Sequence, residues 1–430
     1  MLLTRIVRSP VPNLLPNSPL RNQLPNSPLR NPLRRRSKRN ITYYFCTDRS
    51  RAFHLCVFIF AQMNERKRLN KHYSSNIELL YKIDLTDDTL CEIIKDCIIV
   101  EPFAGNCDLI KHLQVDLTVL AENNFIKQIL LTDITKITNS VSIPGVKINY
   151  NRADTLLNNP FKNIRSKVFV ITNPPYTAKN KLSPELKKKY SSILDSDTQD
   201  LYQIFIKQMI ENESKINGGL IIIPVNFLLG KQSRNLRDTF LNYFNIFHLN
   251  IFEKKMFEYT TQSTITLVFT HKRFNIKRYK TYLHTEKSVE VISKKAFEYV
   301  LGFSFQKYFA LKDTNATIIR VCRNCNITDP FKISNIRISL IDPKIYAYMD
   351  KSNKNTEDKV SDRSSMRVCF TKRFSSTQEE IICGLFNKHL QKIRTLTHSL
   401  VITSFREKSR KRLTFEDAYS ILEFIVNTEI

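Results

Sequence analysis

Four short apolar runs set the terms for the fold: CIIVEPF (97–103), QILLTDI (128–134), VFVITN (168–173) and GGLIIIPVNF (218–227). Each is rich in β-branched residues and nearly unbroken by polar ones, the pattern of a strand buried on both faces. Helix-like stretches lie between them, notably LIKHLQVDL (109–117) and DLYQIFIKQMIENE (200–213). Strand and helix alternating at this spacing predict an open α/β sheet, mostly parallel. FHLNIFE (247–253) and STITLVFTHK (263–272) follow closely enough to form a closing hairpin, an antiparallel edge on that sheet.

The third run ends in Asn173-Pro174-Pro175-Tyr176. Two prolines cannot continue a strand, because proline supplies no ladder donor. An amide and an aromatic ring are therefore held in a stiff, extended turn at the tip of a buried strand. The first run ends comparably: Glu101 closes the strand, Pro102-Phe103-Ala104-Gly105 makes a tight loop, and a helix begins. Gly105 allows close ligand approach, and the carboxylate can bind a hydroxyl or ammonium group. Asp133 at the end of the second strand suits ribose hydroxyls, and Asp154 in RADTLL suits an adenine amino group.

Outside this core the chain changes character. Residues 14–34 repeat LPNSPLRN, a proline-rich pattern that cannot build a core, so 1–62 reads as a disordered basic extension. That extension carries +10 of the formal +27, leaving +17 on residues 63–430. A strongly basic balance that survives removal of the tail points to a polyanionic partner. Beyond about 272–275 the sequence is basic and mixed, with helices expected at 375–393, where Ser376 and Glu379 are spaced as a capping box, and at 413–426. This gives a 63–272 catalytic domain and a smaller α+β domain over 273–430. No apolar run reaches the roughly 20 residues that span a bilayer, so no membrane partner is expected. Nine cysteines without disulfide rhythm suggest a reducing compartment, cytoplasmic or at a nuclear or viral replication site, not secretion. Cys322 and Cys325 have metal-like spacing, but the further candidates Cys369, Cys383 and His389 are single and scattered, so no metal site is assigned.

The ordered set Glu101-Pro-Phe-Ala-Gly105, Asp133, Asp154 and Asn-Pro-Pro-Tyr (173–176) resembles the motifs of S-adenosylmethionine-dependent DNA adenine-N6 methyltransferases. More narrowly it resembles the γ-ordered type II enzymes of restriction–modification systems and large DNA viruses, over about half the chain. The resemblance implies a Rossmann-like class I methyltransferase domain followed by a target-recognition domain. It implies that S-adenosylmethionine contacts Tyr73, Glu101, Phe103, Ala104, Gly105, Asp133 and Asp154. Asn173, Pro174, Pro175 and Tyr176 would serve the target base, with Tyr176 stacking on a flipped adenine. The implied partner is double-stranded DNA bound by a monomer, in functional pairing with a restriction endonuclease.

DNA phosphates are expected to meet Lys179, Lys181 and the neighbouring Lys187–Lys189, Lys231 and Arg234 with Arg237 at helical spacing, and Lys272 and Arg273. The sequence departs from the family where Cys107 stands in place of a common second glycine, a side chain expected to narrow the pocket. Two other readings stay open on the residues: a methyltransferase acting on RNA or a protein glutamine, since the tetrad occurs there too, and a catalytically inactive DNA-binding relative.

Overall fold

A computed structural model describes residues 76–137, 140–257, 262–276, 279–311, 318–323, 330–342, 344–350, 364–404 and 411–430. The 14–34 repeat, Tyr73 and Cys325 lie outside the described residues.

Nine strands form one sheet in the order β3-β2-β1-β4-β5-β7-β6-β8-β9. They are β1 (Cys97–Glu101), β2 (Ile126–Asp133), β3 (Lys147–Arg152), β4 (Val168–Thr172), β5 (Ile216–Pro224), β6 (Phe244–Phe252), β7 (Thr264–His271), β8 (Lys280–His284) and β9 (Val289–Ile292). β1 to β5 pair in parallel, and every residue of β4 and β5 is buried, as the unbroken apolar runs required. At the glycine pair of β5 the packing leaves no room for a side chain: a Cβ at Gly219 would lie 2.5 Å from the Val170 carbonyl oxygen and 2.9 Å from the Phe269 ring. β7 enters antiparallel between β5 and β6. The expected hairpin is thus present but interior, because β8 pairs in parallel with β6 and β9 closes antiparallel on β8. The sheet runs on to Ile292, past the boundary expected near 272–275.

Flanking helices are α1 (Asp88–Ile94), α2 (Asp108–His112), α3 (Gln114–Glu122), α4 (Pro184–Lys189), α5 (Leu201–Glu211), α6 (Arg234–Tyr243) and α7 (Lys294–Gly302). The predicted 109–117 helix is two pieces, broken at Leu113. α5 is capped as an Asp200–Gln203 box and buries eight of its eleven residues.

A second, antiparallel sheet has the order β10-β13-β11-β12, from β10 (Val321–Arg323), β11 (Lys332–Ser339), β12 (Tyr346–Met349) and β13 (Ser365–Phe370). Helices α8 (Ser376–Leu396) and α9 (Phe415–Thr428) cover it, packing Phe386, Ile421 and Ile425 against Ile336, Ile338, Met366 and Val368. The capping box of α8 is Ser375 with Gln378, one residue earlier than expected. Glu379 turns inward instead and accepts from the Asn335 backbone and side-chain nitrogens at 3.2 and 2.9 Å, satisfying the irregular stretch of β11 between Ile333 and Arg337. A two-residue pair, β14 (Thr403–Ser404) with β15 (Lys411–Arg412), completes this part.

Two ion pairs tie the second sheet's elements to the first: Lys231 to the buried Asp417 of α9 at 2.8 Å, and Lys411 to Glu253. Cys369 is disulfide-bonded, contrary to the reading of the cysteines as a reduced set, while Cys91, Cys97, Cys107, Cys322 and Cys383 are free thiols. Among the described residues no helix is long and apolar enough to cross a membrane.

Candidate active site

Strand order reverses between β1 and β4, and in an open α/β sheet the loops leaving such a pair part to open a crevice. A cleft lies there, bounded by the loops after β1, β2, β3 and β4 and by Tyr190 at the end of α4. Glu101, Phe103, Ala104, Gly105, Asp133, Asp154, Asn173, Pro174 and Pro175 all line it. Residues spread over 75 positions of sequence converge because each ends a parallel strand at the same edge of one sheet.

The β1 loop is built from backbone bonds. The Ala104 N–H donates to the Thr132 carbonyl at 2.9 Å, and Gly105, at φ +52°, donates its N–H to Asp133 Oδ2 at 3.0 Å. Asp133 Oδ1 accepts from the Thr135 N–H and hydroxyl at 2.8 and 2.7 Å. The carboxylate expected to meet a ribose thus also braces the glycine loop beneath the cavity. Cys107 occupies the left-handed region, φ +61° and ψ 24°, the conformation a glycine would take there without strain. Its side chain is fully buried and does not line the cavity, so the expected narrowing is absent. Burial pushes its thiol up to about 12.

Glu101 is 2 % exposed, and its Oε2 has no hydrogen-bond partner among the described residues. Burial, then the neighbouring Asp133 and Asp108 carboxylates, hold its pKa well above the usual carboxylate range. A buried, unpaired acceptor on a cavity wall wants a cation or donor from the ligand.

Asp154 is already engaged. Its Oδ2 accepts from Lys189 Nζ at 2.6 Å and from the Tyr190 hydroxyl at 3.1 Å, and its Oδ1 from the Leu156 N–H at 3.2 Å. Lys189 is therefore drawn to the cavity rim, not left for phosphate. Tyr190 went unnoticed in the sequence because it ends a lysine-rich run, KKKY. The signal was Ser183-Pro184, an N-cap and N1 pair that starts a helix and places Tyr190 at its end.

At the β4 end Asn173 is half-buried on the cavity wall, but Tyr176 is 3 % exposed and does not line it. Its hydroxyl lies within hydrogen-bonding reach of Asn173 Oδ1 and of the Ile222 carbonyl, 2.8 Å away, and its ring meets Phe257 edge-on. The expected stacking platform is turned into the core, where its hydroxyl positions the asparagine amide.

The expected phosphate contacts divide. Lys181 and Arg234 are exposed, while Lys179 donates to the Asp195 carbonyl. Lys231 is spent on Asp417, and the buried Arg237 donates to the Leu228 carbonyl at 2.6 Å. Lys272 and Arg273 follow the C-terminus of β7, an antiparallel strand, so they sit at the end of the sheet opposite the cavity, and Arg273 bonds Ser214 and Asn217 at the start of β5. Eight residues of strand, about 26 Å, separate them from the cavity end.

Fold and cavity together define an α/β architecture with a large, mostly parallel sheet open to solvent at its strand ends, with a second antiparallel sheet appended. Residues 80–257 match the model of the Eco57I restriction-modification methylase family. Among solved structures, the chain is similar to the type IIL restriction-modification enzyme MmeI in complex with DNA (14 % identity, 64 % of this chain, 45 % of that chain, TM-score 0.40). It is also similar to the type I restriction-modification methyltransferase subunit of Streptococcus thermophilus (12 % identity, 54 % and 53 %, TM-score 0.32) and to the type IIG restriction endonuclease BpuSI (15 % identity, 61 % and 38 %, TM-score 0.37). The chain thus spans about half or less of the length of these structures. No curated protein matches it.

Proposed function

We propose that this protein transfers the methyl group of S-adenosylmethionine to the N6 amino group of adenine within a specific sequence of double-stranded DNA. The observation that carries the reading is the cavity itself, with the buried Glu101, whose Oε2 has no partner among the described residues, on one wall and Asn173-Pro174-Pro175 on another. Glu101 Oε2 suits the ammonium of the cofactor's methionine end, the Gly105 loop its close approach, and Asp154 its adenine end. When bound, the cofactor supplies an electrophilic methyl on a sulfonium sulfur. An exocyclic purine amine is a poor nucleophile because its lone pair is delocalised into the ring. Asn173 Oδ1 and the Pro174 carbonyl would accept its two hydrogens and favour the pyramidal nitrogen that attacks, a preorganised electrostatic effect. The proton leaves to solvent afterwards, so no strong general base is required.

Cys107, the departure from the family's glycine, is buried and does not line the cavity, which supports a working enzyme over an inactive relative. The first sheet would be the catalytic part and the second the recognition part, in a monomer paired functionally with an endonuclease. The test is tritiated S-adenosylmethionine with unmethylated DNA, followed by nucleoside analysis. Wild type should yield N6-methyladenine, and Asn173→Ala should abolish transfer while binding cofactor within a few-fold. Undiminished transfer by Asn173→Ala would sink the mechanism.

A further inference from the structure

The loops after β1, β2 and β3 are tied together across the end of the sheet. The Ala104 N–H donates to the Thr132 carbonyl and the Ala153 N–H to the Asp133 carbonyl at 3.0 Å, so neighbouring loops are bonded in pairs. Thr155 reaches further. It belongs to the loop after β3, yet its hydroxyl donates at 2.7 Å to the carbonyl of Pro102, directly after β1. β2 lies between those two strands, so the loop bridges two strand spacings, about 10 Å. Thr155 is buried at 2 % exposure and borders the cleft.

The same residue is also held by α5. Buried Gln208 donates from Nε2 to the Thr155 carbonyl at 3.2 Å and to the Leu156 carbonyl at 2.8 Å. Its Oε1 is buried with no partner among the described residues, so only the donor half of this amide is used. The Asp154 carbonyl in turn accepts from the Leu157 and Asn158 N–H groups at 3.1 and 2.8 Å, closing a tight turn. Thr155 is thus fixed by its hydroxyl on one loop and by its carbonyl on a helix.

Pro102 and Thr155 are the residues that follow Glu101 and Asp154. Their hydrogen bond therefore joins the two backbones directly beside the carboxylates assigned to opposite ends of one ligand. A ligand that reaches both must meet both at once, and a spacing fixed in advance spares it the cost of ordering one loop against the other. A ligand that fills only one end gains nothing from that bond.

We propose that Thr155 is a positioning residue that sets the spacing between the Glu101 and Asp154 ends of the cleft, with Gln208 supporting it from α5. The inference rests on the S-adenosylmethionine reading above. Its test is calorimetry of the full chain with S-adenosylmethionine, which reaches both ends, and with 5′-methylthioadenosine, which reaches only the adenine end. Thr155→Val keeps the shape and removes the hydroxyl. It should lose about 3- to 10-fold in S-adenosylmethionine affinity, the size expected of one neutral hydrogen bond, and bind 5′-methylthioadenosine as wild type does. Thr155→Ser restores the hydroxyl and should bind both ligands as wild type does. Equal loss on both ligands in Thr155→Val would mean general support of the fold and overturns the proposal, as does undiminished S-adenosylmethionine affinity. Should Thr155→Val not fold, Gln208→Met decides the matter: it removes both donors to the loop and should show the same selective loss, and equal or absent loss overturns the role. A wild type that binds neither ligand sinks the cofactor reading and this role with it, an outcome separate from lost selectivity in a variant.

Discussion

Replacing Glu101 by Gln separates what the site costs from what it does. Glu101 is 2 % exposed, one of its carboxyl oxygens has no partner among the described residues, and Asp133 and Asp108 stand near it. A buried polar group left unpaired costs about 1–3 kcal/mol, more when charged. Glutamine keeps the shape and removes the charge, so Glu101→Gln should stabilise the ligand-free protein by about 1–3 kcal/mol near neutral pH. At about 2–4 °C per kcal/mol for a domain of this size, that is a rise of several degrees in melting temperature. The pH dependence has a definite sign. Because the native carboxyl titrates above its unfolded value, the folded state still holds a proton that the unfolded chain has lost, and stability falls as pH rises between the two values. Wild type should show that decline and Glu101→Gln should lack it.

Binding should move the other way. A hydrogen bond to a charged partner contributes about 1.5–3 kcal/mol, so the variant should lose about 10- to 100-fold in affinity for S-adenosylmethionine by calorimetry. A cofactor fragment lacking the amino acid end, 5′-methylthioadenosine, should bind both proteins alike. Equal S-adenosylmethionine affinity in the two proteins, or a lower melting temperature for the variant with an unchanged pH profile, would refute the assignment.

Three further outcomes are expected. At Cys107, where φ is +61°, glycine relieves a backbone that strains any residue with a Cβ by about 1–2 kcal/mol, so Cys107→Gly should melt higher than Cys107→Ala, the reverse of the usual order. Gly219→Ala should destabilise by about 1–3 kcal/mol in urea unfolding, since its Cβ would meet the Val170 carbonyl and the Phe269 ring. Lys181→Gln should lower the salt dependence of DNA binding while Lys272→Gln leaves it unchanged; equal effects would contradict the placement of Lys272 at the far end of the sheet.

Much of the site could be read before any coordinates because strand ends are locally encoded. A double proline ends β4 whatever surrounds it, and Glu101 and Asp133 close runs whose burial was already evident. Exact partners could not be read. Asp133 bracing Gly105, Lys189 and Tyr190 reaching Asp154, and Tyr176 turning inward all depend on which loops meet. Cys107 shows the division well: the sequence flagged it as a departure, yet only its φ and burial show that it keeps a glycine's backbone and leaves the cavity open. The lysines misled for a related reason. Charge density in a sequence does not say which end of a sheet a residue occupies, and β7 runs antiparallel.

The sequence by itself determined that this chain builds a mostly parallel α/β sheet with two chemically distinctive strand ends, because period, β-branching and proline act through local sterics and burial. Tertiary structure alone decided that β8 and β9 extend that sheet, which cations are spent on ion pairs, and that Arg337 and Arg367 pair across neighbouring strands within reach of Asp350. Those outcomes turn on pairings between distant segments, whose energies depend on geometry that no local pattern encodes.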